Sequence, residues 1–354
     1  MKSKRTKREP FVIGDVSVKA GTQEAIDLSI PALYTHNPMS CPVYVIHGKE
    51  DGPILFLSGA IHGDEINGVE IIRRVLNRKS LKRVRGTIVA VPVVNILGFI
   101  AQTRYLPDRR DLNRSFPGSD KGSLAARMAN LFLTQIVSKC THGIDLHTAA
   151  IHRDNFPQIR AELSDPEIER MARAFNSPVI VNTPVAEGTL RDAASKMEIP
   201  VIVYEAGEAL RFSELAIRAG VSGIVSVMRE LEMIPRLKSK AKDIDPFVAR
   251  SSYWERAAKS GILRAAKSLG AKVGKNEVLG VISDPFGSSE ETVIASSEGI
   301  IIGRTNIPLV NEGEALFHIA KFTDAGSVQE TVEVFQDEMD PNTDAKPSQE
   351  PPIV

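Results

Sequence analysis

Two histidines and a glutamate carry the chemistry this sequence is able to do. His62 and Glu65 are three residues apart in Gly59-Ala-Ile-His62-Gly63-Asp64-Glu65-Ile-Asn-Gly68. An imidazole and a carboxylate at that spacing converge on one cation if the backbone turns between them, and Gly63 permits the turn. His147 stands in Gly143-Ile-Asp145-Leu-His147-Thr148. Asp145, two residues earlier, points to the same face of a strand and is placed to orient a ligand or line a pocket. Two histidines and one glutamate match the ligand set of a catalytic zinc that leaves its fourth position to water. A third segment, Val201-Ile-Val-Tyr204-Glu205-Ala-Gly207, puts a carboxylate at the end of a strand, where open α/β sheets hold their ligands. The chemistry of such a set is hydrolysis: zinc activates water and polarises a carbonyl, and Glu205 moves the proton to the leaving nitrogen. No serine lies in a GxSxG elbow and Cys140 precedes the site, so a covalent acyl-enzyme is the less favoured route.

Each signal is weak by itself. A histidine and a glutamate three apart are common, and Glu205 alone reads equally well as a helix cap. Arg104, Arg109, Arg110 and Arg114 fall within eleven residues, which alone suggests a solvated loop. Guanidinium forks also suit carboxylates and oxyanions. The joint occurrence, each element following an expected strand, carries the weight.

The elements that must position these residues alternate. Apolar runs at 54–57, 86–94, 143–147, 178–181 and 200–204 read as buried strands. Helical periodicity runs over 65–76, 125–137 and 215–233. The alternation predicts an α/β layer with a largely parallel sheet. After Pro235 comes a basic, polar stretch, and from 253 to 322 short strands are punctuated by glycines. That is a smaller all-β, barrel-like C-terminal domain. Its two glycine-punctuated half-repeats resemble a biotinyl/lipoyl-type barrel, but the tight turn Ser296-Ser297-Glu298-Gly299 lacks a carrier lysine, so it is expected either to shape or cover the site or, equally, to serve as a spacer or oligomer interface. The expected boundaries are a disordered basic tail at 1–8, a hydrolase domain at 9–238, the β domain at 239–323 and a mostly disordered acidic tail at 324–354. Within that tail, 328–335 is expected to form one late strand.

Composition excludes several classes. Lys+Arg and Asp+Glu number 44 each, which argues against a nucleic-acid binder working through bulk positive charge. One tryptophan and five tyrosines give little for base stacking. The only cysteines, Cys41 and Cys140, form no CxxC pair, which fits a reducing cytoplasm. No apolar run reaches the length of a membrane span, and the basic N-terminus is not followed by the apolar core of a secretory signal.

Taken together, Gly59-Ala-Ile-His62-Gly63-Asp64-Glu65, Asp111-Leu-Asn113-Arg114-Ser-Phe-Pro-Gly118 and Asp145-Leu-His147-Thr148 resemble the succinylglutamate desuccinylase/aspartoacylase family of the zinc carboxypeptidase-like superfamily, over roughly residues 45 to 235. The stretch from His147 through Arg153 to Arg160 is closer to the family's bacterial deacylase branch. The resemblance implies a mixed, largely parallel sheet flanked by helices and one zinc per chain, bound by His62, Glu65 and His147. It implies that Glu205 is the general base and that Arg104 steadies the oxyanion. Asn113 and Arg114 would hold a substrate carboxylate, with Asp111 and Asp145 in support and Arg153 and Arg160 as candidates for selecting the acyl group. The expectation is a cytoplasmic metal-dependent deacylase of a small N-acyl amino acid, with no nucleic-acid or membrane partner. Whether it is a homo-oligomer is left open. Two alternatives stand beside it, a zinc carboxypeptidase acting on peptides and a non-catalytic small-molecule binding module.

Overall fold

The computed structural model describes residues 8–31, 34–35, 37–236, 246–322 and 328–339. A hairpin of β1 (Phe11–Ile13) and β2 (Val16–Val18) precedes β3 (Thr22–Ser29) and β4 (Ser40–His47), which pair antiparallel. Then follow β5 (Glu50–Gly59), α1 (Asn67–Leu76), β6 (Arg85–Val91), α2 (Ile96–Ile100), α3 (Leu124–Gln135) and β7 (His142–Ala149). β8 (Arg153–Ala161) runs back, followed by α4 (Pro166–Ala174), β9 (Val179–Asn182), α5 (Leu190–Ser195), β10 (Val201–Glu208) and α6 (Glu214–Glu230). Strands β6, β5, β7 and β10 lie side by side and parallel. A parallel sheet must be covered on both faces, which is why its strands read as continuous apolar runs. Leu55, Phe56 and Leu57 are all fully buried. On one face Ile71, Ile72 and Val75 of α1 join Ile217, Val221 and Ile224 of α6; on the other, Met128 and Phe132 of α3 join Ala193 and Ala194 of α5. Five of the helices start where a side chain accepts a free backbone N–H of the first turn: Asn95 for α2, Ser123 for α3, Asp165 before Pro166 for α4, Thr189 for α5 and Ser213 for α6.

The basic, polar stretch after Pro235, read from the sequence as a linker, lies almost wholly outside the described residues. β11 (Phe247–Ala249) emerges from it and pairs parallel with β9 of the first unit. Next come β12 (Ser251–Arg256), β13 (Gly261–Ala265), β14 (Lys272–Val273), β15 (Val278–Ser283), β16 (Glu290–Ile294), β17 (Gly299–Thr305), β18 (Leu309–Val310) and β19 (Ala315–Lys321). The antiparallel sheet β16-β15-β13-β18 packs against β12-β19-β17 around Leu263, Ile282, Phe317 and Ile319. β17 also pairs with β8, from Gly303 opposite Asn155 to Thr305 opposite Arg153. The C-terminal strands thus extend the sheet of the first unit to thirteen strands.

One expectation fails. Val328–Met339 is a helix, α7, where the sequence suggested a strand within an acidic tail. Val332, Phe335 and Met339 recur at helical spacing, and Val332 and Phe335 are buried, with Phe335 edge-on to Phe156 at 6.1 Å. The remainder of that tail lies outside the described residues.

At the junction between the two units Asp154 faces Arg304 in register, and Glu208 accepts from the His152 amide and from Asn306. Burial, reinforced by the Glu208 charge, pushes the Asp154 carboxyl up to about 6. A raised carboxyl pKa leaves folding unpenalised below the unfolded value near 3.8 and costs stability as pH rises through 6. Asp154→Asn removes that cost. Its melting temperature is expected to match the parent near pH 4 and exceed it above pH 6, by an amount equivalent to about 1–3 kcal/mol. A gain of equal size at both pH values would show that charge is not the cause.

Candidate active site

The site forms where β5, β7 and β10 end. After β5 the chain takes a left-handed step at Ala60 (φ 47°) and turns back, with the Glu65 amide donating to the His62 carbonyl at 3.1 Å. Gly63 is required for a different reason than the turn. A Cβ there would lie 2.0 Å from the backbone carbon of Gly98 in α2, so glycine lets α2 press against the loop. Asn95 caps α2 by accepting from the Gly98 amide at 2.8 Å, which fixes that approach.

His62, Glu65 and His147 are all buried, and each offers a ligand atom within 4.8 Å of the others. His62 Nδ1 lies 2.7 Å from Glu65 Oε1 and His147 Nδ1 lies 2.8 Å from Glu65 Oε2. The far nitrogens are held as well: His62 Nε2 is 3.1 Å from Asp111 Oδ1, and His147 Nε2 is 2.7 Å from Asp145 Oδ2. Asp145 is braced by the Ser58 hydroxyl at 2.7 Å. Glu65 Oε2 also accepts from the Thr148 amide at 3.1 Å. Arg104 donates to Asp111 from Nε and Nη2 at 3.1 and 2.9 Å, and to Glu65 from Nη1 at 3.3 Å.

This donor set fits a divalent cation. A neutral imidazole has one N–H and one lone pair. All four ring nitrogens face carboxylate oxygens, so once each Nε2–H is donated outward, both Nδ1 lone pairs point at Glu65. Only a proton or a cation between them relieves the repulsion. Burial disfavours charge on either ring, yet Glu65 and Asp111 around His62, and Asp145 and Glu65 around His147, outweigh it and raise both imidazole pKa values. Burial likewise works against Glu65, and the two imidazoles hold its carboxyl well below the usual range. The cluster therefore draws in positive charge. Three carboxylates, Glu65, Asp111 and Asp145, against the Arg104 guanidinium leave it two positive charges short of balance, the charge one divalent ion supplies. Asp64, also buried here, has its carboxyl raised by burial and by Glu65.

Glu205 stands beside this group. In the parallel pairing of β10 and β7 it lies opposite His147. Its Oε2 accepts from Asn155 Nδ2 at 2.8 Å, and Arg160 Nε lies 3.1 Å from Oε1 as an ion pair without hydrogen-bond alignment. Asn113 is turned toward α5, where its Oδ1 accepts from the Leu190 amide at 2.9 Å. Arg114 is exposed and donates to the Asn113 carbonyl at 2.7 Å. Arg153 sits 5.2 Å over the Trp254 ring, away from the ligand group.

Several residues of the site have no local signal in the sequence. Asn155 reaches Glu205 from a strand whose Pro157 and polar alternation disguise it. Arg191 of α5 has Nη1 buried without a hydrogen-bond partner, and its pKa is lowered by burial and then by the neighbouring Arg160 charge. His318 of β19 stacks on Trp254 at 4.5 Å and accepts or donates to Ser252 Oγ at 2.8 Å; burial and Arg160 push it down to about 3, so it is a neutral wall residue. A cavity of about 1070 Å³ opens elsewhere, between 21–23, 46–50, 81–85 and 232–236. None of the residues above lines it, so convergent donor chemistry, and not concavity, locates the site.

A family model described as the succinylglutamate desuccinylase/aspartoacylase catalytic domain matches residues 51–231. A protein of Halomonas elongata named N-alpha-acetyl-L-2,4-diaminobutyric acid deacetylase is 26% identical over 303 residues, covering 80% of this chain and 86% of its own. A succinylglutamate desuccinylase/aspartoacylase structure from Rhodobacter sphaeroides superposes with a TM-score of 0.76 at 22% identity, covering 86% of this chain and 96% of that one. The product-bound ectoine utilization protein EutE (DoeB) from Ruegeria pomeroyi gives 0.75 at 22% identity, covering 84% and 94%. At these identities the two structures establish a shared fold.

Proposed function

The chain belongs to the succinylglutamate desuccinylase/aspartoacylase family, and on that premise we propose that it is a zinc-dependent deacylase, hydrolysing the amide bond of a small N-acyl amino acid. The observation that carries the reading is the buried His62–Glu65–His147 group, with both Nδ1 atoms turned inward onto one carboxylate and both Nε2 atoms anchored outward. Zinc held by these three residues supplies a lowered water pKa and a polarised carbonyl. Asp111 and Asp145 fix the ring orientations and make the imidazoles better donors.

Glu205 takes a proton from water and returns it to the departing amine. Arg104 serves the developing oxyanion. Three of its five N–H donors are committed to Asp111 and Glu65, which immobilises the fork and leaves two for the substrate. Such a preorganised donor is typically worth about 10²–10³ in rate. Arg160 and Arg191 form a like-charge pair with buried N–H groups lacking hydrogen-bond partners. A substrate carboxylate would neutralise that pair, with Asn113 and Arg114 nearer the mouth. The Halomonas relative's named substrate, an N-acetylated amino acid, is of this class. No helix among the described residues is long and apolar enough to cross a membrane. Both cysteines are buried and free, which supports a cytoplasmic enzyme.

Metal analysis of the purified protein beside His62→Ala and His147→Ala tests the proposal, with release of free amine from a panel of N-acyl amino acids as readout. About one zinc per chain is expected, lost in both variants together with amine release. Full metal content in either variant would overturn the ligand assignment. Efficient cleavage of acyl dipeptides would move the reading to a carboxypeptidase.

A further inference from the structure

Resting on the reading of Glu205 as the base, we propose that Asn155 is the residue that aims it, and that Gly303 of the C-terminal unit is the wall that keeps Asn155 in place. A base that transfers a proton twice must hold one direction, and that direction is set by what its carboxylate oxygens touch. Oε2 of Glu205 accepts from Asn155 at 2.8 Å. Asn155 is only 9% exposed and is flanked by glycine on both sides, Gly207 of β10 and Gly303 of β17.

The two glycines differ. Gly207 has φ +81°, a conformation that by itself favours glycine. Gly303 lies outside that region, so its backbone accepts any residue. What excludes a side chain is space: a Cβ at Gly303 would lie 2.8 Å from Asn155 Oδ1 and 3.2 Å from His318 Cβ. The register of β17 against β19 also shifts between Ile301 and Gly303, the kind of irregularity that re-aims side chains beside active sites. β17 therefore closes over the oxygen side of the amide, while the Glu205 carboxylate, which can only accept, takes the Nδ2 side. The C-terminal unit acts on the chemistry through this contact, in addition to covering the site.

The test uses the full-length, metal-loaded enzyme and the N-acyl amino acid that the wild type turns over fastest. Asn155→Ala and the isosteric Asn155→Asp are expected to lower kcat about 10–100-fold, with KM within about twofold and metal content unchanged; melting temperature should hold in Asn155→Ala, whereas Asn155→Asp, which sets a buried carboxyl against Glu205, should melt lower as pH rises. Gly303→Ala is expected to lower kcat about tenfold by displacing the amide. Because Gly303 acts through Asn155, the double variant Asn155→Ala/Gly303→Ala should be no slower than Asn155→Ala alone. Multiplied losses in the double variant would overturn the role of Gly303. If Gly303→Ala does not fold, the Asn155 variants decide, and wild-type kcat in Asn155→Asp overturns the proposal. Glu205→Gln is the control: an active Glu205→Gln sinks the base reading itself, whereas an inactive one beside an unimpaired Asn155→Asp sinks only the positioning.

Discussion

Glu65→Gln loses metal and turnover together while keeping the fold. Glu65 is the hub of the cluster, touching both Nδ1 atoms, the Thr148 amide and Arg104. The amide has the same shape but one acceptor oxygen in place of two. Its NH₂ can donate to the His62 lone pair, which relieves the repulsion there, while its oxygen still faces His147 and the Thr148 amide and Arg104 Nη1 loses its acceptor. The lost charge and the lost ligand both weaken metal binding. We expect metal affinity to fall at least about 100-fold and kcat/KM at least about 1000-fold. The melting temperature of the metal-free variant should equal or exceed that of the metal-free parent. Titration with zinc, followed by calorimetry and amine release, checks it. Stoichiometric zinc at parental affinity would show that Glu65 is no ligand.

Glu205→Gln should separate chemistry from assembly. The amide keeps the volume and can still accept from Asn155 through its oxygen, but it cannot take a proton. Removal of a positioned general base typically costs about 10²–10⁴ in rate, and the whole loss should fall on kcat. Metal content and KM should remain near those of the parent, since no ligand contact is touched. Single-turnover measurement of amine release under saturating substrate distinguishes this from slow product release. A variant retaining more than about a tenth of parental kcat would move the proton transfer to another group, with Asp64, a buried carboxyl whose pKa burial and Glu65 raise, the one to examine.

The fold and the ligand group were legible because they lie where sequence patterns are strongest. β5, β7 and β10 are buried on both faces and so appear as apolar runs, and the His62–Glu65–His147 group lies just after β5 and near the end of β7. β8 was not legible. Its Arg153-Asp-Asn-Phe-Pro-Gln-Ile-Arg160 mixes polar residues with a proline, because one side of the strand lines the site and the other meets Phe335. Asn155 and Arg191 were missed for the same reason: their partners lie about 50 and 30 residues away along the chain, and nothing local marks them. The helix over Val328–Met339 was misread because valine and phenylalanine favour strands when considered one by one, whereas their spacing fits a helix. Gly63 was singled out correctly for the wrong reason, since a close backbone approach leaves no trace in the adjoining residues.

The pairing of β17 with β8 bears on how the chain is made. Residues 153–155 have β10 along one side, while their other side is closed only by residues 303–305, about 150 positions later. Residues 158–161 of the same strand are covered early by β9, so during synthesis the 153–155 end, which carries Asn155, is a short open edge until β17 is made. Such an edge is a template for pairing with other chains. On the proposed reading, a chain ending before β17 lacks the contact that aims Glu205 and leaves this short edge open to pairing with another chain.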